Sequence, residues 1–143
     1  MVSVSKAKPH VLNEGRRVLC VDDAQAGLFL RASILENCGY EVTAVTDARK
    51  AAESFQPGSQ ELAVLDYQMP EMTGAELAGY LRRKSPDLKI ILFTGAIHVP
   101  QNELKYIDLV IHKLQGVGTL LAAMESLLTP ACEPTPTCPA GQI

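Results

Sequence analysis

Five short apolar runs alternate along this chain with longer stretches in which apolar residues return at helical spacing. Residues 16–21, Leu62–Leu65 and residues 89–93 each hold an unbroken apolar run of four, the pattern of strands buried on both faces. Residues 40–45 alternate instead, with Val42 and Ala44 on one side, and residues 109–111 supply a short fifth strand. Residues 24–38 place Leu28, Ala32 and Leu35 at helical spacing, and Gly39 follows as a stop. Asp47 stands at the N-cap of a predicted helix over 48–55, and Thr73 at that of one over Gly74–Lys84. In the latter, Leu77, Tyr80 and Leu81 are predicted to share the buried face. Residues 117–128 form an amphipathic final helix with Leu120, Leu121, Met124, Leu127 and Leu128. Gly95 to Tyr106 is weaker, with Pro100 and little periodicity, and predicts one short helix over 101–106.

Strand and helix thus alternate five times, which predicts an α/β fold with a parallel sheet and helices on both faces. Right-handed crossovers favour a doubly wound, flavodoxin-like five-stranded sheet of order 2-1-3-4-5, with a shortened fourth helix. Residues 16–128 make up this domain, 1–15 a polar flexible leader, and 129–143 a Pro-rich tail predicted to be disordered.

Composition narrows the function. The chain of 143 residues is 47% hydrophobic and 20% charged, as expected of one ordinary globular domain. Its net charge is −3, and the one basic cluster, Arg82-Arg83-Lys84, ends a predicted helix, where cations suit the dipole. Direct nucleic-acid binding is therefore not expected. No apolar stretch reaches the ~18–20 residues of a membrane span, and the leader lacks a signal-peptide core, so a cytoplasmic protein is expected. Cys20, Cys38, Cys132 and Cys138 form no CxxC pair and support neither a zinc site nor a disulfide framework.

Chemistry concentrates where strands end. Asp22 and Asp23 follow the first strand, Asp66 the third, Thr94 the fourth and Lys113 the fifth. Open α/β sheets bind ligands at that rim, and in the order 2-1-3-4-5 the first and third strands flank the switch point. Three neighbouring carboxylates resist full ionisation without a cation, and Mg²⁺ suits carboxylate and phosphate oxygens. A carboxylate beside such an ion can attack a phosphoryl group, while a hydroxyl and an ammonium stabilise the transferring charge. No GxxxxGK loop is present, which excludes a P-loop ATPase.

These residues resemble the receiver domain of two-component response regulators over about residues 16–128. The matching pieces are Val18-Leu19-Cys20-Val21-Asp22-Asp23, Leu65-Asp66-Tyr67-Gln68-Met69-Pro70-Glu71-Met72-Thr73-Gly74, Leu92-Phe93-Thr94-Gly95 and His112-Lys113. The resemblance implies that Asp66 accepts a phosphoryl group from a histidine kinase or phosphotransfer protein. It implies that Asp23 ligates Mg²⁺ directly, Asp22 largely through water, and Asp66 and the Gln68 carbonyl complete the protein ligands. Thr94 and Lys113 would then bind the phosphoryl oxygens. The same resemblance places Arg31, read as exposed on the far side of the first helix, in a kinase-docking surface.

Two positions and one segment depart from the family pattern. Val110 stands where an aromatic usually precedes the lysine, Leu114 follows Lys113 in place of a proline, and the segment from Thr94 to Lys113 is short. A non-proline cis bond costs ~2.5–4 kcal/mol, so a trans bond or an altered loop is expected after Lys113. The preferred function is a stand-alone phosphoacceptor switch, with output through an unidentified downstream protein, a homodimer or onward phosphotransfer. It would promote its own phosphorylation and dephosphorylation and turn over no external substrate. The alternatives are a constitutive interaction module that keeps the acids without phosphorylation-controlled signalling, and a Mg²⁺-dependent phosphohydrolase with Asp66 as nucleophile.

Overall fold

Successive side chains of a strand point to opposite faces, and in this protein both faces are apolar. In a computed structural model that describes residues 15–129, the strands separate by parity into two cores. Val18 and Cys20 of β1 (Arg17–Val21), Leu62 and Val64 of β3 (Leu62–Leu65), and Ile91 and Phe93 of β4 (Lys89–Thr94) face one core. Leu19, Val21, Ala63, Leu65, Ile90 and Leu92 face the other. Helices α1 (Gln25–Asn37) and α4 (Gly116–Leu128) cover the first face through Leu28, Leu35, Leu120 and Met124. Helices α2 (Ala48–Ser54) and α3 (Gly74–Lys84) cover the second through Ala51, Ala52, Leu77 and Leu81. Each fully buried leucine or isoleucine contributes about 1.5–3 kcal/mol to this arrangement.

The sheet is parallel throughout, with β2 (Glu41–Val45) and β5 (Leu109–His112) at its edges and the order β2-β1-β3-β4-β5. This is the predicted doubly wound topology. Predicted and observed element ends agree to within one residue except between β4 and β5. Asp47 caps α2 by accepting from the Arg49 and Lys50 amides, and Thr73 and Glu76 form a reciprocal capping box on α3. The leader and tail expectations fall on residues 1–14 and 130–143, which lie outside the described span.

Two expectations are corrected. The short helix over 101–106 is a single 3-10 turn, Gln101–Glu103. Val99, Leu104, Tyr106 and Ile107 pack against the α2–α3 core from this largely irregular segment. Arg82 fixes the return to β5 by donating to the Tyr106 carbonyl at 3.1 Å and to Asp108 at 2.9 Å. Tyr80, predicted on the buried face of α3, is 40% exposed, because Leu77, Ala78 and Leu81 already fill that face. After β5 the described backbone holds no cis peptide, and Lys113–Gln115 forms a 3-10 turn.

The loop after β3 is folded tightly onto the strand it leaves. Glu71 takes a left-handed conformation with φ 73°, and the Gly74 amide donates to the Tyr67 carbonyl at 2.8 Å. A methyl group on Gly74 would run into the backbone carbonyl of Asp66 and sit 2.9 Å from Leu92 Cδ1. Gly74→Ala is expected to lower stability by about 1–3 kcal/mol, the usual cost of overpacking a close contact. Urea denaturation checks this; a midpoint equal to wild type would show that the loop moves aside without cost.

Candidate functional site

Strand register builds the site. Val21 lies opposite Leu65 across the β1–β3 ladder, so Asp22 and Asp66 leave the sheet side by side. The Asp66 amide continues the ladder by donating to the Val21 carbonyl at 3.0 Å. Asp23 follows onto the exposed rim, and one carboxylate oxygen from each of Asp22, Asp23 and Asp66 lies within 4.8 Å of the other two. Across the sheet, Thr94 pairs with His112, and Lys113 comes next. The Lys113 ammonium lies 2.8 Å from Asp22 Oδ2 and 3.6 Å from Asp66 Oδ2. The five residues singled out at strand ends therefore meet at one rim. Gln68 is exposed two residues beyond Asp66, on the loop leaving β3.

Local bonds orient each group. Asp66 Oδ1 accepts from the Tyr67 amide at 2.9 Å, which turns Oδ2 toward Lys113. Buried Thr94 accepts from the Ala96 amide at 3.0 Å through its hydroxyl oxygen, leaving the hydroxyl proton to be donated. His112 shapes the turn that carries Lys113: its Nδ1 accepts from the Leu114 amide at 3.1 Å, while its own amide donates to Gln115 Oε1 at 2.8 Å.

Two functional neighbours escaped the sequence reading. Arg31 is 7% exposed, not a surface residue, and its guanidinium donates to Asp22 Oδ2 at 2.9 Å. The signal was present, because Leu28, Arg31, Ala32 and Leu35 form one continuous helical stripe. Placing Arg31 on the far side of that stripe obscured it. The other is Tyr67, whose hydroxyl donates to Glu103 Oε1 at 2.6 Å and ties the residue after Asp66 to the 3-10 turn.

The two buried acids are held differently. Burial pushes the Asp22 carboxyl up, but hydrogen bonds from Lys113, the Ala24 amide and Arg31 outweigh it and keep its pKa below the ordinary carboxylate range. Asp66 is raised, first by burial and then by the Asp22 charge, with Lys113, the Tyr67 amide and Thr94 opposing only in part. Burial pushes the neighbouring Cys20 thiol up to about 12, so it stays protonated and unreactive at neutral pH. Hard oxygen donors at this spacing, with three carboxylates facing two cations, fit a divalent ion such as Mg²⁺.

Because the folded state raises the Asp66 pKa, its ionised form disfavours folding. That cost is absent below the unfolded value of about 3.9 and complete above the folded one. In metal-free protein, Asp66→Asn is therefore expected to melt at a higher temperature than wild type at pH 7, with the gap closing as pH falls toward 4 (roughly the unfolded value). Calorimetric melts across that range check it, and a gap that widens toward acid would contradict it.

Residues 18–119 match the response regulator receiver domain family. The response regulator receiver protein CpdR of Brucella abortus is 39% identical over 87 residues, which cover 61% of this chain and 72% of that protein. The aerobic respiration control sensor protein ArcB of Escherichia coli is 35% identical over 69 residues, and there the match covers 48% of this chain but 9% of the sensor. Among solved structures, the response regulator protein TrrA of Thermotoga maritima in complex with Mg²⁺-BeF superposes with a TM-score of 0.74. It is 32% identical, with 79% of this chain and 99% of that one covered. TrrA in complex with the histidine kinase ThkA gives 0.68 at 29% identity, covering 80% and 99%. With the sheet order, the three-acid rim and the family match in agreement, this chain belongs to the response regulator receiver domains of two-component systems.

Proposed function

We propose that this protein is a phosphorylation switch in which Asp66 accepts a phosphoryl group from the phosphohistidine of a histidine kinase or phosphotransfer protein. The observation that carries this reading is the convergence of Asp66 with Asp22, Asp23, Thr94 and Lys113 at one strand-end rim. An Asp66 carboxylate oxygen attacks phosphorus, the P–O bond forms, and the P–N bond to the donor histidine breaks. Asp22 and Asp23, with Asp66 and the exposed loop carbonyl of Gln68, are the residues that would hold Mg²⁺. The ion supplies charge neutralisation on the transferring oxygens. Lys113, already 3.6 Å from Asp66 Oδ2, turns from Asp22 to the new phosphoryl oxygens, and Thr94 donates its hydroxyl proton to another. Phosphorylation replaces one negative charge with about −1.5 to −2 and adds strong acceptors.

The neighbours support the chemistry and the partner class, since TrrA has been solved both with Mg²⁺-BeF and with a histidine kinase. Output would pass to a downstream protein or a second copy of the chain. The Tyr67–Glu103 bond gives the rim a direct link to the segment between β4 and β5, and Val110 of β5 supplies no aromatic ring beside it. One observation favours the second reading, a constitutive interaction module: the helix expected in that segment is reduced to one 3-10 turn.

Incubation with acetyl phosphate and Mg²⁺ is expected to add one phosphoryl group per chain, read by intact mass. Asp66→Asn and excess EDTA should each abolish it. Undiminished labelling of the Asp66→Asn variant would overturn the assignment. The module reading predicts that beryllofluoride shifts amide resonances only around the acids. The switch reading predicts that the shifts extend through residues 96–107.

A further inference from the structure

Arg31 lies on α1, yet its side chain is turned inward onto the acid rim. Its terminal nitrogen lies 2.9 Å from Asp22 Oδ2, and both side chains are almost wholly buried. The guanidinium carbon sits 5.1 Å from the Phe93 ring centroid, within cation–π range. Its Nε–H is buried and meets no acceptor, so Asp22 is the contact that repays burying this charge. Asp22 Oδ2 accepts from Arg31 and Lys113 together, while Oδ1 accepts from the Ala24 amide.

We propose that Arg31 is a built-in counter-ion that sets the divalent-ion affinity of this rim and frees Lys113 to leave Asp22. This inference rests on reading the rim as a Mg²⁺ site. The charges decide its direction. Three carboxylates face Arg31 and Lys113, leaving one net negative charge; without Arg31 there would be two. A divalent cation is attracted in proportion to that charge, and the low-polarity surroundings of a buried pair screen it weakly. With Oδ2 doubly engaged, Asp22 offers a metal Oδ1 or a bridging water. When Lys113 turns toward a phosphoryl group on Asp66, Asp22 keeps a fixed partner that cannot move with it. Arg31 is thus a positioning residue that acts through Asp22.

The test is Mg²⁺ titration by calorimetry of the full chain, with no phosphodonor present. Arg31→Leu and Arg31→Met, which remove the charge, are expected to bind Mg²⁺ at least about fivefold more tightly than wild type, and Arg31→Lys to stay within about twofold. Mg²⁺ should also raise the melting temperature of the neutral variants more than that of wild type. Detectable binding only in the neutral variants would support the proposal in its strong form. Neutral variants that fold, by circular dichroism, but bind Mg²⁺ no more tightly than wild type would overturn it. So would the absence of binding in all four proteins, or failure of both neutral variants to fold. Asp66 phosphorylation is read separately, so failure here leaves the phosphoacceptor assignment standing, and an unlabelled Asp66 leaves the affinity comparison intact.

Discussion

Val21 and Leu65 lie opposite one another in a parallel ladder, and that pairing sends Asp22 and Asp66 out of the sheet together, with Asp23 beside them. Like charges this close, at a largely buried edge, require compensation from the rest of the structure. Lys113 arrives from the end of β5 and Arg31 from the inward stripe of α1. The compensation is uneven. Both cations engage Asp22 Oδ2, which leaves Asp22 firmly ionised and Asp66 with a raised pKa. Asp66 is therefore the carboxylate with the most to gain from a further cation or from conversion to a new group. That asymmetry separates the proposed nucleophile, Asp66, from Asp22.

The loop after β3 holds this arrangement still. Gly74 passes so close to the Asp66 carbonyl that no side chain fits, and Thr73 and Glu76 start α3 immediately beside it. The site is thus gripped by a capped helix on one side and a sheet ladder on the other. By contrast, the segment between β4 and β5 hangs on separate contacts: the Tyr67–Glu103 bond, the Arg82 bridge to Asp108, and single apolar side chains against the core. Close packing at Asp66 and fewer, separate contacts beyond Thr94 are the combination the proposed switch requires.

Most of the fold was legible because strand and helix periodicities differ and both recur cleanly here. The continuous runs at β1, β3 and β4 announced strands buried on two faces, and Asp47 and Thr73 marked their helix starts. The five rim residues were legible through topology, since strand order converts positions far apart in sequence into neighbours. Sequence and structure part where helical spacing alone does not say which side chains a face has room for. Arg31 fell on the core stripe of α1, and only the structure shows that a buried carboxylate awaits it there. Tyr80 falls at helical spacing from Leu77, but Leu77, Ala78 and Leu81 already fill that face and leave it 40% exposed. The reduced helix between β4 and β5 was anticipated only in part. Its anchoring depends on Tyr67 and Arg82, contacts for which local periodicity carries no signal.

Among three adjacent carboxylates, Asp66 is the one proposed to carry the phosphoryl group. Borohydride reduces an acyl phosphate to an alcohol and so turns a phosphorylated aspartate into homoserine, a permanent mark readable by peptide mass spectrometry. Applied after transfer from a phosphorylated histidine kinase, the account predicts homoserine at position 66 and aspartate retained at Asp22 and Asp23. Homoserine at either of those two positions, or an unmodified Asp66 in protein that has taken up phosphate, would contradict it.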